Sequence, residues 1–338
     1  MICFRADGNA HIGSGHIMRC LSLAAALRTL GEDCLFAMAD DTMAATVRSR
    51  GFEVRILGTH WRDMNAELPV FLPLAAQAKL VVVDSYALTP AWLDAVRQQV
   101  PVAQFDDEDA FLSTADFLIN YNLSGLDRPY DRRYAGQPVR LLLGPAYAPL
   151  REEFCALPDR PVRQQVTDIL VSTGGADPEN VAGRFVETLA RTPGWESVVF
   201  HLVVGALNPR LPELERAAAA LPNLELHRNV QQMAALICRC DAAVAAAGST
   251  LYELCACGTP TVTYVLADNQ LPGATAFARR GLMLNAGDCR RDEGFYPRLL
   301  QTLRTLCDDA PRRAAMASAM RHTVDGRGAH RLAAALLE

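Results

Sequence analysis

A histidine stands at the end of a glycine-bearing turn near the start of the chain. His16 follows Gly13 and Gly15, between a first short apolar run and a strongly periodic helix. A strand, a turn and a helix start bring backbone N–H groups and the positive end of a helix dipole towards an anion. The imidazole of His16 could then act as a base beside a bound substrate. A plain β-α turn with a surface histidine fits the same residues.

A second turn of this kind lies in the other half of the chain. Gly248, Ser249 and Thr250 follow an apolar strand and open a helix that contains Glu253. Glycine and hydroxyl groups at a helix N-terminus suit a phosphate, and the carboxylate one turn later can accept hydrogen bonds from paired ribose hydroxyls. The alternative is a capping box, because a serine or threonine three residues before a glutamate also caps a helix.

Other candidate binding residues follow further predicted strands, and they are Tyr86, Gly174, Val230, Met233, Asn269 and Gln270. Residues just past the carboxyl ends of parallel strands line the ligand crevice of an α/β sheet. The backbone near Val230 and Met233 could read a base edge, and two amides lie at 269–270. Tyr86 fits equally well as a residue that closes a helix N-terminus.

Short apolar runs alternate with amphipathic helices along the chain, which is typical of parallel α/β sheets. The predicted strands lie near 1–5, 33–37, 52–56, 79–83, 101–105, 116–120, 140–143, 168–172, 198–204, 223–227, 242–246, 260–265 and 281–285. In the first half the predicted helices lie near 15–30, 41–50, 68–77, 89–98 and 109–113. A polar, proline-bearing segment at 157–165 predicts a linker. We therefore expect two Rossmann-like domains, 1–157 and 158–338.

Clustered acids and cysteines raise the question of a metal. Residues 106–109 are all acidic and follow a strand. They could hold Mg²⁺ on a diphosphate, or they could cap a helix and form a polar loop. We favour capping. The ten cysteines include two pairs separated by one residue, but the CxxC spacing of zinc sites is missing. We expect no metal site.

Composition excludes several classes of partner. Net charge is −5, from 33 basic and 38 acidic residues, and no dense basic block is present. This balance argues against nucleic acid and against a polybasic membrane surface. No apolar run approaches the roughly 20 residues that span a bilayer, and no signal peptide precedes the first strand. We expect a cytoplasmic protein.

Groups of residues spread in order over nearly the whole chain match a known enzyme family. They are Arg5-Ala6-Asp7 with Ile12-Gly13-Ser14-Gly15-His16 and Arg19-Cys20-Leu21; Asp84-Ser85-Tyr86; Asp106-Asp107; Gly144-Pro145-Ala146-Tyr147 with Leu150-Arg151 and Glu153-Phe154; Gly174-Gly175-Ala176-Asp177-Pro178 with Asn180; Ala246-Ala247-Gly248-Ser249-Thr250 with Glu253; and Asn269-Gln270. On these residues the chain resembles the UDP-sugar hydrolases of pseudaminic acid biosynthesis, which are related to the MurG-type glycosyltransferases.

The resemblance implies a GT-B fold, in which two Rossmann-like domains face each other across a cleft and the last helix can pack back on the N-terminal domain. It also implies residue roles. His16 is the catalytic base, and Tyr86 and Asn269 help to place the sugar and the attacking water. The C-terminal domain binds UDP: the base at Val230 and Met233, the ribose at Glu253, and the diphosphate at Gly248, Ser249 and Thr250. Gly13 approaches from the N-terminal side.

The implied reaction removes UDP from UDP-2,4-diacetamido-2,4,6-trideoxy-β-L-altropyranose by water attack with inversion, without a metal or an organic cofactor. The expected partners are the UDP-sugar and UDP alone, and we expect a monomer. Two alternatives stay open at this point. One is a glycosyltransferase of the same fold that uses a UDP-amino sugar, and the other is a UDP-sugar binding module without catalysis.

Overall fold

The computed structural model describes residues 1–9, 11–205 and 208–338. The chain forms two compact units. The first unit comprises Met1–Glu152 and Arg327–Glu338, and the second unit comprises Glu153–Gly326. Within the described residues, no helix combines the length and the apolar character needed to span a bilayer.

The first unit is built on a seven-stranded parallel sheet whose strand order is β3-β2-β1-β4-β5-β6-β7. Its strands are β1 (Ile2–Ala6), β2 (Cys34–Met38), β3 (Glu53–Ile56), β4 (Leu80–Asp84), β5 (Val102–Phe105), β6 (Phe117–Asn120) and β7 (Arg140–Leu143). Its helices are α1 (Gly15–Thr29), α2 (Ala44–Ser49), α3 (Met64–Ala75), α4 (Pro90–Arg97) and α5 (Tyr130–Arg133), with short 3₁₀ turns at Leu123–Asp127, Pro145–Tyr147 and Glu152–Phe154, the last of which runs into the second unit.

The second unit repeats the design with a six-stranded sheet of order β10-β9-β8-β11-β12-β13. Its strands are β8 (Asp168–Ser172), β9 (Val199–Val204), β10 (Leu224–Arg228), β11 (Ala242–Ala246), β12 (Thr261–Val265) and β13 (Leu284–Asp288). Its helices are α6 (Val181–Ala190), α7 (Leu211–Ala220), α8 (Met233–Arg239), α9 (Thr250–Cys257), α10 (Leu271–Arg279), α11 (Phe295–Asp308) and α12 (Ala310–Thr323), with a 3₁₀ turn at Asp268–Gln270.

The central strands of both sheets are almost wholly buried. All five residues of β1, β4 and β11 are buried, as expected for parallel strands covered by helices on both faces. In the first unit, Trp92 of α4 packs on Phe71 of α3 with ring centroids 5.2 Å apart. Burial of these rings is part of the apolar contact that holds the helices on the sheet.

The last helix, α13 (Gly328–Leu337), belongs to the first unit and packs against α1. It approaches the loop after β7 so closely that a Cβ on Gly328 would lie 2.1 Å from the carbonyl oxygen of Ala148. Only glycine fits there. Arg140 of β7 also donates to the carbonyl of Ala335 at 3.0 Å.

Two local predictions are wrong. No helix forms near 109–113, because Asp109 adopts a left-handed φ of 56° and the N–H of Ser113 is bound by the hydroxyl of Tyr134. The strand expected near 281–285 pairs only from Leu284 onward, because Gly281 ends the preceding turn with a positive φ of 68°.

Candidate functional site

His16 lies in the first turn of α1, directly after the loop that follows β1. The loop is closed by paired backbone hydrogen bonds between Asn9 and Gly13, of 3.1 and 2.8 Å. Gly13 has a φ of +74°, and an added Cβ would meet no atom within 4 Å. Glycine is therefore favoured at position 13 by the backbone conformation and not by crowding. The loop delivers the imidazole of His16 to the carboxyl edge of the sheet.

The His16 ring is 5% exposed and neither of its nitrogens has a hydrogen-bond partner among the described residues. Its Nε2 lies 3.8 Å from Oδ1 of Asp84 at the end of β4, beyond hydrogen-bond distance. The ring of Tyr86 meets it edge-on with centroids 4.5 Å apart. A buried imidazole without partners costs about 1–3 kcal/mol, so this arrangement is suited to a water or ligand atom that hydrogen-bonds to the ring.

Arg19, one turn further along α1, ties the strand ends together. Its guanidinium donates two hydrogen bonds of 2.5 Å to Asp84 and two of 2.8 and 3.0 Å to Asp107, which follows β5. It also reaches the Tyr121 hydroxyl at 3.2 Å and lies 4.7 Å from the ring centre of Phe105. Such bidentate pairing fixes both carboxylates in place.

The charges in this cluster set the protonation state of His16. Burial lowers the pKa of His16 below its ordinary value, and Asp84 opposes that shift. Although burial disfavours its charge, the Asp107 and Asp84 carboxylates raise the pKa of Arg19. Burial also opposes ionisation of Asp107, yet Arg19 holds the pKa of that carboxyl below its usual range. The result is a fixed array of one cation and two anions beside a neutral imidazole.

A second buried array supports the beginning of the same loop. Arg5 of β1 is fully buried and donates to Glu67 at 2.7 and 2.6 Å and to Asp7 at 2.5 Å. Glu67 also accepts from the indole N–H of Trp92 at 3.0 Å, and Asp7 accepts from the N–H of Ala39 at 2.8 Å. These bonds hold the backbone where the chain leaves β1 for the His16 loop.

The site lies at the topological switch point of the first sheet. The neighbours β1 and β4 are the strands from which the order runs outward in both directions. His16 follows the first of them, while Asp84 ends the second and Tyr86 comes just after it. Ligands of open α/β sheets bind at this point, outside the carboxyl ends of the strands.

In the second unit, the switch point lies between β8 and β11, and Gly174 and Gly248 follow these two strands. Ser249 is the N-cap of α9, as the capping alternative expects, but its side chain makes no capping hydrogen bond. Gly248 is exposed, and the nearest atom to an added Cβ is Nε2 of Gln270 at 4.0 Å. The helix start and the residues after β12 are thus brought together.

The remaining predicted residues of the second unit also follow strands at the carboxyl edge of its sheet. Gly174 has a φ of +84° with open space at its Cβ position. Val230 lies in the loop after β10, and Met233 begins α8 and is buried. Glu253 is half-buried one turn into α9, and Asn269 is exposed in the 3₁₀ turn after β12. The roles given to these residues and to Gly13, His16 and Tyr86 stay predictions.

The sequence analysis gave no role to Arg19 or Asp84, and it gave Asp107 only a place in the acidic cluster at 106–109, for which capping was favoured. One signal was present, because Arg19 is three residues from His16 and therefore shares its helix face. The carboxylates of the acidic cluster have different partners. Asp107 pairs with Arg19, while Asp106 accepts from the N–H of Asp109 at 2.7 Å and from the Tyr130 hydroxyl at 2.8 Å.

Three curated relatives align with 83–98% of the chain at low identity. The Bacillus subtilis spore coat polysaccharide biosynthesis protein SpsG is 24% identical over 98% of this chain and 96% of its own length. The UDP-2,4-diacetamido-2,4,6-trideoxy-β-L-altropyranose hydrolase of Campylobacter jejuni is 24% identical over 83% of this chain and 97% of its own length. The Xanthomonas oryzae UDP-N-acetylglucosamine–N-acetylmuramyl-(pentapeptide) pyrophosphoryl-undecaprenol N-acetylglucosamine transferase is 28% identical over 96% of this chain and 77% of its own length. No protein-family model matches the chain.

Solved structures decide the fold. Acinetobacter baumannii MurG matches with a TM-score of 0.69 at 14% identity, over 99% of this chain and 98% of that one. The calicheamicin glycosyltransferase CalG4 matches with a TM-score of 0.68 at 16% identity, over 99% and 97%. The chain has the GT-B fold. The prediction of two Rossmann-like domains is therefore confirmed.

Proposed function

We propose that this protein is a nucleotide-sugar hydrolase that releases UDP by water attack at the anomeric carbon. The observation that carries the proposal is the buried His16 imidazole at the switch point of the first sheet, with both nitrogens unpartnered among the described residues. A buried base with a free nitrogen is suited to taking a proton from water. A glycosyltransferase would also need the hydroxyl of an acceptor, which the imidazole does not supply.

In the proposed reaction neutral His16 accepts a proton from a water molecule whose oxygen forms a bond to the anomeric carbon. The bond from that carbon to the β-phosphate oxygen breaks, and its electron pair leaves with UDP. Attack opposite the leaving group inverts the anomeric centre. UDP is already a good leaving group, so the main demand on the protein is to orient water and to stabilise charge on the departing oxygen. Tyr86 and Asn269 are assigned to placing the sugar and the water.

The Asp84 carboxylate is assigned an electrostatic part in the same step. After proton transfer the imidazole becomes a cation 3.8 Å from Oδ1 of Asp84. Arg19 holds that oxygen in a fixed position before the reaction begins, so no side chain has to reorganise as the charge forms. Fixed charges of this kind stabilise the developing imidazolium.

The second unit is proposed to bind UDP. The start of α9 offers backbone N–H groups and a helix dipole, and the side chain of its N-cap Ser249 is not used for capping. Gly248, Ser249 and Thr250 are assigned to the diphosphate and Glu253 to the ribose. The uracil is assigned to Val230 and Met233, with Gly174 and Gln270 completing the site.

We further propose UDP-2,4-diacetamido-2,4,6-trideoxy-β-L-altropyranose as the sugar nucleotide, for use in pseudaminic acid biosynthesis. The support is the Campylobacter jejuni hydrolase that aligns over 83% of this chain, together with the residues that the sequence shares with that family. The second candidate is a glycosyltransferase that uses a UDP-amino sugar. It is favoured by the 28% identity to the Xanthomonas oryzae N-acetylglucosamine transferase.

The deciding experiment incubates the purified chain with a panel of UDP-diacetamido-trideoxy hexoses and UDP-N-acetylglucosamine, without any acceptor. Release of UDP is measured by ³¹P NMR, and the first-formed anomer of the free sugar by ¹H NMR. We expect fast release from one diacetamido sugar, with inversion. If no sugar nucleotide decays until a sugar acceptor is added, the transferase is correct and the hydrolase is wrong.

A further inference from the structure

A cluster of two histidines and one glutamate lies within two neighbouring strands of the second sheet. His201 is on β9, while Glu225 and His227 are on the neighbouring edge strand β10. His201 is paired in register with Glu225, and residues two apart on a strand point to the same face. The three side chains therefore converge over one patch of the sheet.

The donor atoms of this cluster are separated by distances that fit one small cation. Nδ1 of His201 lies 3.0 Å from Nε2 of His227 and 3.2 Å from Oε2 of Glu225, and the last two atoms are 3.8 Å apart. Ligands around a tetrahedral ion with bonds of about 2.0–2.1 Å lie roughly 3.3 Å from each other. The three atoms thus approximate one face of such a tetrahedron.

The orientation of His201 is fixed by a carboxylate behind it. Its Nε2 lies 2.9 Å from Oδ1 of Asp168. That carboxylate can only accept, so His201 carries a proton on Nε2. In the neutral ring the lone pair of Nδ1 then points towards His227 and Glu225. A carboxylate–histidine pair of this type orients many metal-bound imidazoles.

Two arginines border the cluster: Nε of Arg239 lies 3.3 Å from Asp168 and its guanidinium is 3.7 Å from Glu225, while the guanidinium of Arg163 is 3.6 Å from Asp168. These cations partly balance the two carboxylates. The His227 and Glu225 side chains are 25% and 47% exposed, so an ion can enter from solvent.

We propose that His201, Glu225 and His227 form a binding site for a divalent transition-metal ion of the zinc type, with water as the fourth ligand. Two imidazoles and one carboxylate are ligands that such ions favour. The site ties the edge strand β10 to β9 and is separate from the proposed hydrolysis, which needs no metal. The sequence did not indicate it, because the ligands come from two strands 24 residues apart.

The test uses the full chain after removal of metals with a chelator, and Co²⁺ as the probe. We expect one equivalent to bind with d–d absorption typical of nitrogen and oxygen ligands and without thiolate charge-transfer bands. Zn²⁺ should displace it and raise the thermal unfolding midpoint. His227→Ala and Glu225→Gln should each weaken Co²⁺ binding by at least about tenfold.

His322→Ala is the matched control, because His322 lies on α12 and its Nδ1 is 2.7 Å from the carbonyl oxygen of Ser318. Its Co²⁺ affinity should equal that of the unmodified chain. Absence of stoichiometric binding, a thiolate band, or equal binding by His227→Ala would each overturn the site. If His227→Ala does not fold, the Co²⁺ affinity of Glu225→Gln is compared with that of the unmodified chain instead, because the Glu225 side chain is half-exposed.

Discussion

Nε2 of His16 and Oδ1 of Asp84 lie 3.8 Å apart, close enough for strong electrostatic coupling but too far for a hydrogen bond. Arg19 holds the carboxylate in this position with two bonds of 2.5 Å. The imidazole is therefore oriented by packing against Tyr86 and not by a partner that occupies one of its nitrogens. Both nitrogens are available to substrate or water.

The first prediction concerns the pH dependence of UDP release. The base must be unprotonated, and burial lowers the pKa of His16 below its ordinary value of 6.5. Activity is therefore fully present above that ordinary value and is lost as the pH falls through the lower pKa of the folded protein. The acidic limb of kcat/KM against pH should lie below 6.5. A limb above that value would contradict His16 as the base.

Asp84→Asn should move this limb to still lower pH, because the carboxylate favours the imidazolium and its removal makes His16 harder to protonate. Asp107→Asn is the matched control. It removes a second partner of Arg19 but has a smaller effect on His16, so its limb should move less. Equal profiles for Asp84→Asn and the unmodified chain would show that the carboxylate does not act on the base.

The third prediction tests the diphosphate site. Gly248 has room for a side chain and no positive φ, so Gly248→Asp should leave the fold intact. The added carboxylate would stand at the start of α9, where it competes with a bound diphosphate for the same N–H groups and dipole. UDP affinity measured by calorimetry should fall by at least about tenfold, or ~1.4 kcal/mol. Unchanged affinity with an unchanged melting temperature would place the diphosphate elsewhere.

The fourth prediction concerns stability. Glu67→Gln removes the charge that faces the fully buried Arg5, and breaking a buried ion pair costs about 3–5 kcal/mol. Urea unfolding of the first unit should show a loss of this size. Glu213→Gln is the control, since its pair with Arg216 is exposed and 3.9 Å long, and should change stability by less than about 1 kcal/mol. Equal losses for both variants would contradict the assigned role of the Arg5 array.

The fold could be predicted because its signals are local. The runs that became β1, β4 and β11 are mostly apolar, with Arg5 and Asp84 as their charged residues, and Gly258 ends α9 with a left-handed φ of 61° as a helix-stopping glycine should. The helix predicted at 109–113 does not form because the backbone there is held by a side chain distant in sequence, the Tyr134 hydroxyl. No local pattern contains that information.

The candidate site could be predicted only in part, for the same reason. His16 and Tyr86 follow strands that neighbour each other in the sheet, so their proximity follows from the strand order. The link from Arg19 to Asp107 joins residues 88 positions apart and depends on how α1 packs on the sheet. The burial of His16 depends on the same packing, and a turn that contains glycine fits an exposed histidine equally well.

The most direct test of the central claim is the His16→Asn variant, assayed for UDP release and for UDP binding on the same preparation. The account predicts that turnover falls by about 10²–10⁴-fold, the usual contribution of a general base, while the dissociation constant for UDP stays within about twofold of that of the unmodified chain. Near-normal UDP release by a folded His16→Asn protein would contradict it.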